Sequence, residues 1–263
     1  MLLAQVTLLG VVLAAWQWLP SLPGISALIG VLDPFIISSP VRVADQIWSL
    51  MSGAHHTPVV WPYLASTLWS TFAGTVAGTI VGTILALVLG SSPTALNILR
   101  PFIVALNATP RIAIIPVIII IFGTGTLAAS ITAYFLVVFI VFFSALEGAR
   151  SVPPQIIQNA QVFGYGPLAI MWTVRLPYTV AWTFAVIPNA VSFGLVGVVT
   201  AEILTGATGM GSFLVIALDA VQSSLTFAIV VILATVGAVL VGAMAVARRV
   251  VLRWWDVEHG IAG

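Results

Sequence analysis

Six apolar stretches, near residues 2–19, 62–90, 96–122, 127–147, 178–204 and 213–247, follow one another along the chain, parted by polar or turn-forming breaks. A helix needs about 20 mostly apolar residues to cross hydrocarbon, and only helices and closed barrels satisfy their own backbone polar groups there. The stretches lack the apolar-polar alternation of barrel strands, so each is expected as a helix. The expected fold is all-α and integral to a membrane, with six transmembrane helices. Composition agrees: 6% of the 263 residues are charged and 61% are hydrophobic, where soluble domains carry about 25% charged residues. One transmembrane domain, 1–263, is expected. It comprises a first span with an external segment (1–61), core spans (62–250) that enclose a polar segment at 148–177, and a short tail (251–263).

Several functions are excluded at once. A net charge of +1 without basic runs offers nucleic acid no footprint. Zero cysteines exclude disulfides, thiol catalysis, thiolate zinc sites and cysteine-held iron-sulfur clusters. All eight basic residues are Arg, and a phosphate-binding P-loop requires Lys, so no ATPase of that type resides here and no Lys Schiff base forms. Energy for any transport must come from a partner or an ion gradient. The first stretch has no basic residue before it and no small-residue cleavage site before Trp16, Trp18 and Pro20, so it is expected as a retained span.

Arginines set the orientation. Arg100, Arg150, Arg175, Arg248, Arg249 and Arg253 share one side if both termini are cytoplasmic, and Arg42 falls opposite. Trp254 and Trp255 then suit the inner interface, and Trp16, Trp18 and Trp61 the outer one. The segment 20–61, with Pro20, Pro23, Pro34, Pro40, Asp33 and Asp45, is expected outside with one short helix near 41–51. The adjacent pair His55 and His56 does not converge on one ion and has no further ligands nearby, so no metal site is expected. His259 lies in the tail, and neither a G-x-S-x-G elbow nor an intramembrane His-acid set marks a hydrolase. Paired halves with broken helices, the mark of ion-coupled secondary transporters, are not apparent either.

Within the second span Gly74, Gly78 and Gly82 recur every four residues beside Thr71, Thr75, Thr79 and Thr83. This smooth face admits another helix, within the chain or from a second subunit. Pro101, Pro110 and Pro116 predict kinks in the third span, which also holds Asn107, Thr109 and Arg111. Arg111 either lines a pathway or snorkels to an interface or acid. Glu202 either serves a pathway or bonds the Gly-rich turn at Gly206, Gly209 and Gly211. The polar groups within spans, Asn107, Arg111, Asn189, Ser192, Thr200 and Glu202, are the candidate lining of a translocation pathway.

The longest expected cytoplasmic connection, 147–177, reads EGARSVPPQIIQNAQVFGYGPLAIMWTVRLP. Pro153 and Pro154 suit a helix start, 155–163 forms a short amphipathic helix, and Gly164, Gly166 and Pro167 end it and open another. Such a helix lies on the interface or docks into a partner's groove. Gln158-Asn159-Ala160, Gly164 six residues after Gln158, and Arg175-Leu176-Pro177 resemble the EAA signature of ABC-importer permeases. The resemblance extends through Ser39-Pro40, Asn107-Ala108-Thr109-Pro110, Ala113, Pro116, Phe122-Gly123, Ala201-Glu202 and Gly209-Met210-Gly211, and is closest in kind to the nitrate, sulfonate and taurine branch.

This resemblance implies the type I importer fold, with a coupling helix between the fourth and fifth spans whose Gln158, Asn159, Ala160, Phe163, Gly164 and Pro177 meet the ATPase. It also implies two cytoplasmic ATP-binding subunits, a second permease copy or paralogue, and an external binding protein, in a bacterial cytoplasmic membrane. ATP and Mg would reside on the partner, with no cofactor in this chain. Gln158 stands where the signature has Glu and Asn159 where it has the first Ala. A charge-assisted contact is lost there while the Gly turn remains.

Overall fold

The structure is a computed structural model and describes residues 2–21, 34–53 and 59–252. His55, His56, His259, Pro23, Asp33, Arg253, Trp254 and Trp255 lie outside the described residues. The described chain forms ten principal helices: α1 (Leu2–Trp18), α2 (Pro40–Ser52), α3 (Trp61–Ser91), α4 (Pro93–Ala108), α5 (Ile115–Phe122), α6 (Thr126–Arg150), α7 (Pro154–Val162), α8 (Leu176–Thr205), α9 (Met210–Asp219) and α10 (Ser223–Val251). A short helix, Pro167–Ile170, and a π-helical turn, Met171–Arg175, lead into α8 without a break. Among the described residues four helices are long and apolar enough to cross a membrane: α3, α6, Pro167–Thr205 and α10. At 1.5 Å per residue the 39 residues of Pro167–Thr205 run for about 58 Å, nearly twice the hydrocarbon thickness. The helix is longer than one crossing of the hydrocarbon requires.

Two of the expected spans divide. The third, expected over 96–122 as a kinked helix, breaks between α4 and α5. Pro110 has no N–H to continue the ladder and holds Thr109 extended, at φ −71° and ψ 130°. A 3-10 turn, Arg111–Ile114, then opens α5. The sixth, expected over 213–247, is the short α9 followed by α10. Val221 takes φ +53°, and Gln222 N–H returns to Ala217 O at 3.0 Å, closing α9. The short helix expected near 41–51 is α2, which begins with Pro40 in its first turn and ends at Gly53.

Small residues set the core. A Cβ built on Gly78 would lie 2.9 Å from Tyr134 O and Val137 Cβ, and one on Gly82 would lie 2.8 Å from Val138 O. Gly74 faces Ser130 and Ala133, and Gly90 faces Ala149. The glycine face of α3 is thus filled by α6 of the same chain, backbone against backbone, as small residues permit where no hydrophobic effect drives helices together. From the third side α8 closes on the pair, with Gly194 beside Thr75, Gly197 on Leu136, and Trp182 over Gly148. A second cluster joins Val43 and Leu50 of α2, Leu64 of α3, Met210, Phe213 and Ala217 of α9, and Leu225, Ala228 and Ile229 of α10. Tyr63 and Phe213 stack there with ring centroids 4.7 Å apart.

Candidate docking and coupling site

Pro153 and Pro154 start α7, since proline's fixed φ suits a helix start and its missing N–H costs nothing there. The helix closes with Phe163 N–H on Asn159 O (3.1 Å), Gly164 N–H on Gln161 O (2.9 Å) and Tyr165 N–H on Ala160 O (3.0 Å). Gly164 at φ +83° makes that reversal, in a region L side chains enter at a cost. None of the helix's residues is buried. Gln158, Asn159 and Gly164 are exposed and Ala160 is half-buried. Beyond them Val162 and Phe163 are 85% and 81% exposed. The helix thus presents an exposed apolar tip, valine beside phenylalanine, on an otherwise unburied surface. Pro177 stands apart from these, half-buried in the first turn of α8.

Behind α7 the π turn rests on the ends of α3 and α6. The Arg175 guanidinium donates through one nitrogen to Gly90 O (2.8 Å) and Ala149 O (2.9 Å). Both carbonyls lie in the last turns of their helices, where C=O groups lack intrahelical partners and the helix dipole is negative. Sequence reading took Arg175 as an orientation marker and as part of the Arg175-Leu176-Pro177 run, with no contact of its own assigned. Its two acceptors belong to two other helices, α3 and α6, and the Leu-Pro that follows was the one local signal that the position was special.

Further along α8, Asn189, Ser192, Val196 and Thr200 follow at intervals of three, four and four, which sets them on one stripe. Asn189 and Val196 are exposed, and Ser192 and Thr200 are half-buried, their hydroxyls returned to Pro188 O (3.3 Å) and Val196 O (2.7 Å). The opposite face, through Ala190, Gly194, Gly197 and Ala201, is buried against α3 and α6. Three of the six candidate pathway residues therefore share an uncovered stripe. Glu202 does not. It is 1% exposed, its carboxylate accepting Thr67 O–H on α3 and Gly211 N–H (2.9 Å) at the start of α9. The Gly-rich turn is its neighbour, as one of the two readings expected. The backbone sets Asn107 in the last turn of α4 and Arg111 at the head of the 3-10 turn, and their side chains lie outside the described residues. Among the described residues no three His, Cys, Asp or Glu side chains gather as metal ligands.

Known proteins resemble this chain in sequence and in fold. The chain is 28% identical over 89% of its length to a probable ABC transporter permease protein of Haemophilus influenzae, of which the match covers 91%. It is 27% identical to the riboflavin transport system permease protein RibX of Chloroflexus aurantiacus, over 84% of this chain and 81% of that one. With the taurine transport system permease protein TauC of Escherichia coli it shares 26% identity over 93% of this chain and 89% of the relative. In fold it resembles an inward-facing structure of the MetNI methionine ABC transporter, with a TM-score of 0.58 and 19% identity over 73% of this chain and 94% of that one. The family described as binding-protein-dependent transport system inner membrane component matches residues 74–253. The chain belongs to that family of ABC transporter permeases.

Proposed function

We propose that this chain is the membrane-spanning subunit of an ATP-driven importer in a bacterial cytoplasmic membrane, working with two ATP-binding subunits, a second permease copy or paralogue, and an external binding protein. The single observation that carries this reading is α7, which buries none of its residues and ends in exposed Val162 and Phe163. The chain has no Lys and hence no P-loop, and a rigid apolar-tipped helix fits a groove on a subunit that hydrolyses ATP. ATP and Mg belong to that subunit. Its closure moves α7, the movement passes into the long helix Pro167–Thr205, and a central path opens to each side in turn.

The uncovered stripe of α8, with Asn189, Ser192 and Thr200, lines that path. Asn107 and Arg111 border it from the break between α4 and α5. Glu202 serves it indirectly, by holding the end of α8 to α3 and α9. The cargo is a small solute of the kind named for the relatives, such as taurine, a sulfonate or nitrate.

The test is affinity purification of the chain co-expressed with its neighbouring genes, in detergent, with ATP hydrolysis measured on the product. An ATPase that co-purifies with the native chain and is lost with Phe163→Asp supports the reading. Solute uptake by vesicles that hold this chain alone would overturn it.

A further inference from the structure

Movement of α7 has to enter the membrane core somewhere, and the helix has only half-buried contacts, at Ile157 and Ala160, to carry it. None of the residues of α7 is buried. A cavity of about 280 Å³, lined by Ser91, Ile157, Gln161, Tyr165, Ile170 and Arg175, separates the helix from the core behind it. Gly164 and Gly166 interrupt the chain between α7 and the next helix. The first firm polar attachment after that hinge is Arg175, with one guanidinium nitrogen on Gly90 O and Ala149 O.

We propose that Arg175 is the positioning residue that carries displacement of the docking helix into the core, by tying the π turn to carbonyls in the last turns of α3 and α6. The inference rests on the importer reading and adds to it the residue through which coupling passes. The geometry favours a pin over a passive cap. Gly90 faces Ala149 directly, so Arg175 sits where the two tightly packed helices end side by side and draws on both dipoles at once. The turn that presents it is the stretch of Pro167–Thr205 with π-helical bonding, a form that marks functional positions in helices and can shift its bonding locally. With the pin in place, a push on α7 pivots α8 against the α3–α6 pair. Without it, the push is taken up in the Gly164–Gly166 hinge and the cavity.

The chain has no cysteine, so a single introduced thiol carries a unique spin label. Gln155→Cys on α7 and Val196→Cys on α8 are suitable, since both positions are exposed. The permease is assembled with its ATPase in nanodiscs, and the label's spectrum is recorded with and without ATP and vanadate. With Arg175 intact, both positions are expected to respond. With Arg175→Met, which keeps length but removes every donor, the ATPase still binds and the α7 label still responds, while the α8 response falls by roughly tenfold. Arg175→Lys keeps the charge and one or two of the bonds, and restores part of the α8 response. A full α8 response in Arg175→Met overturns the proposal. If that variant does not assemble, Arg175→Lys decides: a reduced α8 response with normal α7 response supports the pin, and two normal responses overturn it. An ATPase that never binds the native chain overturns the importer reading itself, a result distinct from the others.

Discussion

The Thr67 hydroxyl on α3 lies 2.8 and 3.0 Å from the two carboxylate oxygens of Glu202 on α8, and it accepts Met210 N–H from α9 at 2.8 Å. Three helices are fastened through two side chains buried to 1% exposure or less. Glu202→Ala would leave Gly211 N–H without its acceptor in a closed site and leave the Thr67 hydroxyl with Tyr63 O alone, costing about 2–4 kcal/mol. Glu202→Gln keeps volume and one acceptor, and is expected to cost less than half as much. A methyl group at Gly209 would land on the carboxyl, so Gly209→Ala is expected to match the alanine variant. Thermal unfolding in detergent orders the three, and equal midpoints for Glu202→Ala and the native chain would remove the carboxylate's structural role.

The glycine face of α3 predicts a contrast between two alanine substitutions. Gly78→Ala puts a methyl group 2.9 Å from Tyr134 O and Val137 Cβ, and forcing the helices apart costs about 1–3 kcal/mol. Gly242→Ala on α10 meets nothing within 4 Å and is expected to be neutral or stabilising by up to about 1 kcal/mol from helix propensity. Melting temperatures that move in opposite directions would bear this out.

At the tip of α7, Phe163 is 81% exposed and holds up no part of the fold. Phe163→Asp is expected to leave the melting temperature within about 1–2 °C of native while abolishing co-purification of the ATPase. A variant that melts early would mean that the phenylalanine packs within the chain instead.

Gly164 makes a separate test of the same helix, because its constraint is conformational and not steric. Nothing lies within 4 Å of a Cβ built there, yet φ is +83°. Asn, which tolerates the left-handed region, is expected to retain ATPase binding, whereas Val is expected to cost about 1–3 kcal/mol locally and to weaken binding. Binding curves for Gly164→Asn and Gly164→Val measure the difference, and overlap of the two would show that the turn does not need its left-handed residue.

How far the sequence carried depended on how local the determinant was. The docking helix was legible because Pro153, Pro154, Gly164 and Gly166 punctuate it on both sides within one short stretch. Tight packing by Gly74, Gly78 and Gly82 was legible as a smooth face, but α6 as its filler was not, since the matching surface of Ala133, Val137 and Val141 lies some sixty residues away. Pro110 announced a kink in the third span. The break between α9 and α10 had no such announcement: Asp219 to Gln222 contains neither Gly nor Pro, and Val221 adopts φ +53° where β-branched residues are rare. Arg175 was legible as a charge and invisible as a link, because its acceptors belong to the ends of α3 and α6.

Where α3 and α6 touch, the glycines meet backbone atoms and the short side chains of Ala133, Val137 and Val141, which leave little room to absorb change. A larger residue at Gly74, Gly78 or Gly82 has no neighbouring rotamer to push aside, so it can be accommodated only by a smaller residue on the facing helix. Across related permeases these positions are expected to vary together, Gly74 with Ala133 and Gly78 with Val137, and to record in their paired exchanges a contact that neither helix can alter alone.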